Sequence, residues 1–275
     1  MMATRWCGSG GPVRRAIGAL TPAQCLMAFT FAAQPVCGQS FTSAFETDYG
    51  GWIADFADYP AADSAAWHFK HSIETMPNVT PTQKGLRISG DNFSDDLFLF
   101  IKRKVTGLVP GAEYAMTVNA GIVTAQCPDC LGGDSFYFKA GAGGTEPKKV
   151  LASGGMYRMN IDKGNQSRGG PDMDTVAAVY HDVPGDLTPH LMHFGNAKHP
   201  FRFHADAKGE AWVILGVESA FETPVAWNLA DVSVQFAGTT GLRPGPAPVR
   251  FRQVGLRSRS LAGRRLPLNP GRLSP

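Results

Sequence analysis

From Phe41 onward the apolar residues come in short runs broken by Gly, Asp, Asn and Pro, and they seldom repeat at helical spacing. Met116, Val118, Ala120 and Ile122 alternate with Thr117, Asn119 and Gly121, the pattern of a strand with one buried face. Val232, Val234 and Phe236 alternate with Ser233 and Gln235 in the same way. Pro110-Gly111, inside LVPGAE, marks a tight turn. The pattern predicts strands at 42–46, 52–56, 67–71, 85–89, 97–104, 113–123, 135–140, 148–150, 158–162, 174–182, 201–205, 211–216 and 227–236. With no strand–helix–strand rhythm and no internal repeat, this predicts an all-β fold, a two-sheet antiparallel sandwich over residues 39–238.

Composition agrees. Among 275 residues, 32 glycines and 20 prolines favour turns over long helices, and a 43% hydrophobic share excludes wholesale disorder. The net charge of +3 hides a division along the chain. All 23 acidic residues lie between Glu46 and Asp231, and residues 39–238 hold only 15 Lys and Arg, a net of −8. An acidic body disfavours nucleic acid as a partner. The ends are basic. Arg14 and Arg15 precede an uncharged run, Ala16–Ala33, that reads as an export signal over residues 1–38 with cleavage near Gln39. The alternative is a buried N-terminal helix. Residues 239–275 carry eight arginines, no acid and repeated prolines, which predicts a disordered basic tail or an arm for anionic surfaces. Elsewhere no run has the length of a membrane-spanning helix.

Four segments together resemble secreted galactose-binding-like, carbohydrate-binding jelly-roll modules. They are Phe45-Glu46-Thr47-Asp48 with Gly51-Trp52; Lys84 to Gly90; Val105 to Gly111 running on to Glu113, Tyr114 and Thr117; and Trp227 to Val234. The stretch 141–170 is longer than a minimal module carries. Asn92–Phe98 taken with Asn160–Ser167 is similar to a family of bacterial secreted or lipoprotein-like proteins, from which no activity carries over. The resemblance implies a jelly-roll sandwich whose first and last strands are neighbours, often stapled by calcium. Glu46 and Asp231 would then be ligands and Asp48 a third oxygen donor, beside the carbonyls of Gly50 and Gly51. Otherwise these are ordinary strand-end carboxylates.

Other residue groups carry candidate chemistry. Cys127-Pro128-Asp129-Cys130 reads as a structural disulfide in an exported protein, ahead of a redox or metal motif. Asp95 and Asp96 in the DNFSDD loop offer oxygens to sugar hydroxyls or a cation, while Asn92 suits a turn cap. Tyr59 and Trp67, beside a Pro-Ala-rich loop, are candidate sugar platforms, whereas Trp52, Trp212 and Trp227 read as core. The polar loop 160–172 adds Asp162, Lys163, Asn165, Gln166 and Arg168. His181, His190, His193, His199 and His204 read as solvated loop histidines before they read as a zinc site.

These features point to an exported, non-catalytic module that binds an extracellular glycan. Two alternatives stand beside it. One is a structural extracellular sandwich without a small ligand. The other is a polysaccharide hydrolase, for which Asp95, Asp96, Asp162 and Glu218 are the candidate carboxyls. No nucleophile elbow or phosphate-binding loop is present in the sequence.

Overall fold

The computed structural model describes residues 4–6 and 38–239. The stretch read as an export signal, apart from residues 4–6 and 38, and the basic tail, apart from Thr239, lie outside them. In chain order the strands are β1 (Thr4–Trp6), β2 (Gly38–Ser43), β3 (Ile53–Ala57), β4 (Tyr59–Pro60), β5 (Lys70–Thr75), β6 (Lys84–Asp91), β7 (Leu97–Val105) and β8 (Glu113–Thr124). They continue with β9 (Phe136–Gly143), β10 (Lys149–Leu151), β11 (Met156–Met159), β12 (Asp174–Ala178), β13 (His190–Gly195), β14 (Phe201–His204), β15 (Ala211–Ser219) and β16 (Pro224–Gly238). The described chain is therefore all-β, an antiparallel two-sheet sandwich of jelly-roll type, and none of its helices is long and apolar enough to cross a membrane.

β16 organises sheet A. One of its edges pairs first with β6 and then with β2, the other with β8. β5 and β1 extend the first edge beyond β6 and β2, and β13 and β14 extend the second beyond β8. The opening strand of the body and its last strand are thus hydrogen-bonded neighbours, Val232 facing Ser43. A bulge between Leu229 and Asp231 shifts the parity of β16. Val225, Trp227 and Leu229 point inward before it, and Val232, Val234 and Phe236 after it. One long strand can therefore keep an apolar face on the core along its whole length.

Sheet B runs β12-β9-β15-β7-β3 and packs on sheet A. Leu97, Leu99 and Ile101 of β7 and Val213, Leu215 and Val217 of β15 meet Ile88, Met116, Val118, Trp227 and Val234 in one core. β7 reads LFLFI because its other face is buried too. Phe98, Phe100 and Ile214, on that outer face, pack with Met173, Met159 and Ile161. These last three belong to the long stretch between β9 and β12, which lies over sheet B as a cover. Its hairpin β10–β11 adds β4 to form a small third sheet.

The cover seats closely on β9 because Gly141 offers no side chain beneath it. A Cβ on Gly141 would strike the Asp172 carbonyl and Met173. Gly141→Val is therefore expected to lift residues 172–173 off β9 and to cost about 1–3 kcal/mol. Its signatures would be a lower melting temperature and faster proteolysis within 160–173.

Several strand positions differ from the sequence reading. β5 begins at Lys70, not near 67, because Ser64–Trp67 forms a short 3-10 turn that ends with His68 at φ 47. β13 falls in the histidine-rich stretch expected to be loop, and its pairing with β8 supplies the order that local sequence does not. β4 is only two residues long and forms solely through pairing with β11.

Candidate functional site

At one end of the sandwich the sheets part around a cavity of about 190 Å³. It lies between the end of β8, the 125–135 loop, the start of β9, the end of β15 and the start of β16. Cys127 and Cys130 are joined by a disulfide, and the loop turns again through Cys130 N–H to Cys127 O and Gly133 N–H to Cys130 O, both at 3.0 Å. The Gly132-Gly133 pair is required here. Gly132 has φ 71 and a Cβ there would enter the Phe221 ring, while one on Gly133 would collide with the Cys127 carbonyl.

No residue lining the cavity is charged. Its polar lining is Thr124, Gln126, Ser135, Ser219, Thr223 and Asn228, and Phe136 and Phe221 provide ring walls. Some of these groups are already engaged. Asn228 accepts from Arg87 Nη1 at 2.8 Å and donates to the Val123 carbonyl at 3.2 Å. Thr124 Oγ1 accepts the Gln126 N–H at 3.1 Å, and Ser219 Oγ donates to the Phe221 carbonyl at 3.1 Å. The side chains of Gln126, Ser135 and Thr223 make no hydrogen bond within the described residues, which leaves their donors and acceptors for a ligand.

The far wall rests on Asn92, which is 1% exposed. Its amide donates to the carbonyls of Ser219 and Phe221, both at 3.0 Å, and its Oδ1 accepts the Ser94 N–H at 3.1 Å. The turn-capping role read for Asn92 holds, and tertiary contact adds a second one.

The residues singled out from the sequence lie elsewhere. Tyr59 and Trp67 are each 2% exposed, packed with Phe69 and Tyr157. This corrects the expectation that they face outward. The exposed ring of that cluster is Phe93, edge-on to Trp67 at 5.4 Å. Asp96 lies 3.6 Å from Arg158, and the neighbouring Asp95 is exposed with φ 59. Asp162, Asn165, Gln166 and Arg168 do come together on one turn of the cover, where Asp162 accepts the Gly164 N–H and Asn165 bridges to Arg168. Lys163 in the same loop turns inward and is buried.

The three carboxylates proposed for calcium do not converge. Glu46 Oε2 accepts the Lys84 N–H at 3.4 Å, Asp48 Oδ1 the Gly50 N–H at 2.6 Å, and Asp231 lies 3.7 Å from His193. Among the described residues no group of three His, Cys, Asp or Glu is placed to hold a metal. Glu46, Asp48, Gly50 and Gly51 line one surface hollow after β2, and Asp231, on the neighbouring β16, is not part of it.

His193, His199 and His204 are exposed as expected, but His181 is not. It is 1% exposed, donates its backbone N–H to the Gln126 carbonyl at 3.0 Å and packs its ring 4.3 Å from that of His190. His190 in turn contacts Asp186, whose carboxyl is held well below the usual range by the Thr188 hydroxyl and by His190. This cluster buttresses the Gln126 side of the cavity.

No family model matches the chain, and no curated protein does. Solved structures of similar form include carbohydrate-binding modules, alongside a phage tailspike enzymatic domain, a glycoside hydrolase domain and an adhesin domain of Lys-gingipain. The CBM22-1 xylan-binding domain of Paenibacillus barcinonensis Xyn10C is 13% identical, with 76% of this chain and 99% of that one covered and a TM-score of 0.36. TmCBM61, solved with β-1,4-galactotriose, is 10% identical over 68% and 89% of the two chains at a TM-score of 0.29. TmCBM27, described for mannan recognition, is 11% identical over 68% and 98% at 0.27. At these values no residue role carries over from the neighbours to this chain.

Proposed function

We propose that this protein is a carbohydrate-binding sandwich that holds one neutral sugar residue in the end cavity. The observation that supports this is the lining: uncharged hydroxyl and amide groups between two phenyl walls, the surface a polyol needs. A volume of about 190 Å³ suits a single ring and is smaller than the roughly 300–1,000 Å³ of sites for larger ligands. A chain-end residue of a glycan fits better than the middle of a polymer. A non-catalytic role is favoured because the hydrolase candidates are dispersed: Glu218 is sealed beneath the cover, Asp96 is with Arg158 and Asp162 is on the outer turn. Export accords with the leader-like N-terminal sequence and with the disulfide.

The test is a panel of neutral mono- and oligosaccharides titrated calorimetrically against the full chain. Gln126→Ala and Thr223→Val are each expected to weaken binding about two- to tenfold, the effect of one hydrogen bond worth about 0.5–1.5 kcal/mol. Unchanged affinity in both variants would remove the cavity from the reading. Absence of binding across the panel would favour the structural sandwich, for which the covered outer face of sheet B speaks.

A further inference from the structure

Beneath the cover lies a group of ionisable side chains that the cavity does not use. Lys163 Nζ is 3.0 Å from Asp58 Oδ2 and 2.6 Å from Glu218 Oε1. The three side chains are 8%, 4% and 0% exposed, and the Phe98 ring lies 5.1 Å from the same nitrogen. They come from three places in the fold: the cover, the link between β3 and β4, and β15. Asp58 has φ 65, a conformation non-glycine residues rarely adopt, and its N–H donates to the Tyr157 carbonyl at 2.7 Å. Strain at a buried ionisable residue is a mark of a working site.

We propose that this group is a self-modification site, in which Lys163 Nζ and Asp58 Cγ join in an amide bond with Glu218 as the catalytic residue. An ammonium and a carboxylate buried this deeply lose their hydration. Passing one proton from amine to acid makes both neutral without altering the net charge. Burial pushes the Asp58 carboxyl up, against the pull of Lys163 and Arg158, toward the protonated and electrophilic form. Glu218 is held as the proton carrier by Lys139, whose Nζ is 2.6 Å from Oε2. Lys139 also donates to the carbonyls of Lys163 and Arg168, both at 3.1 Å, and so positions the loop that presents the amine.

The step balances without a co-reactant. The neutral Lys163 amine attacks Asp58 Cγ and a C–N bond forms. Glu218 takes one proton from Nζ and passes it to the departing Asp58 hydroxyl. The C–O bond breaks, water leaves, and Glu218 ends as it began. Nothing is oxidised or reduced. Fixed contact between the two groups replaces a bimolecular encounter, and the enclosed site disfavours hydrolysis of the product. The bond fastens the cover to the sandwich.

Intact-mass and tryptic-map mass spectrometry of the full chain decide the matter. Wild type is expected one water mass lighter than Lys163→Arg after correction for the substitution, a difference that N-terminal processing leaves unchanged. Its map should contain one linked species joining the Asp58 and Lys163 peptides, uncut after Lys163. Asp58→Ala should run unmodified, and Glu218→Gln should lose most of the link while circular dichroism reports on its folding. Wild type at full unmodified mass overturns the proposal whatever the variants do. So does a link that joins Glu218 to Lys139 or Lys163.

Discussion

Glu218→Ala is expected to lower stability by about 3–5 kcal/mol, as removal of one member of a buried ion pair does. Glu218 and Lys139 are both fully buried and in contact through Oε2 and Nζ. Glu218 also contacts Lys163. Without the carboxylate, two ammonium groups share an apolar enclosure with only Asp58 as counter-charge. Burial already pulls the Lys139 amine down, opposed by Glu218, so loss of that carboxylate drives it further toward the neutral form. Urea denaturation of wild type and variant measures the cost. Glu218→Gln keeps the shape and should fall between the two. Lys163→Arg, which retains a cation, separates the contribution of the proposed amide from that of the charge network. A change below about 1 kcal/mol for Glu218→Ala would mean that water reaches the group.

Asn92→Ala is expected to have the second large effect, and it links stability to the cavity. The substitution strips partners from the carbonyls of Ser219 and Phe221 and from the Ser94 N–H. The Phe221 carbonyl keeps Ser219 Oγ, while each group left buried and unpaired costs about 1–3 kcal/mol. Asn92→Asp is the sharper probe. It keeps the size and the acceptor but cannot donate to two carbonyls when ionised, so it should be at least as damaging as Ala at neutral pH. Because Asn92 holds residues 219–223 in place, both variants should weaken sugar binding more than Gln126→Ala does, although Asn92 does not line the cavity. Equal affinity in wild type and Asn92→Ala would separate the wall from the binding site.

Much of the sandwich was legible in the sequence. Alternation at 116–122 and 232–236 marks strands whose burial differs by face, and such one-sided burial is written directly into residue order. The neighbourhood of β2 and β16 followed from resemblance and is present as pairing. The Cys127–Cys130 disulfide needs only the span between the two residues. In the polar turn Asp162, Asn165 and Arg168 are exposed as composition suggests, and Gln166 is half-buried, with local hydrogen bonds made by Asp162 and between Asn165 and Arg168.

Burial of aromatic and charged residues was not legible. A tyrosine or tryptophan near a Pro-Ala loop reads the same whether it faces water or a third layer, and only tertiary contact encloses them, Tyr59 against Tyr157 of the β10–β11 hairpin and Trp67 against Tyr59, Phe69 and Phe93. Lys139, Lys163, Asp58 and Glu218 sit apart along the chain and look like solvated charges until the cover brings them together. The cavity has no motif because it is made from strand ends more than eighty residues apart, 124–136 and 219–228. Periodicity determined which residues form strands and which face each strand buries. Long-range packing decided which charges lose water, and where a gap remains between the sheets, because those depend on what lies across the core and not on the neighbour in sequence.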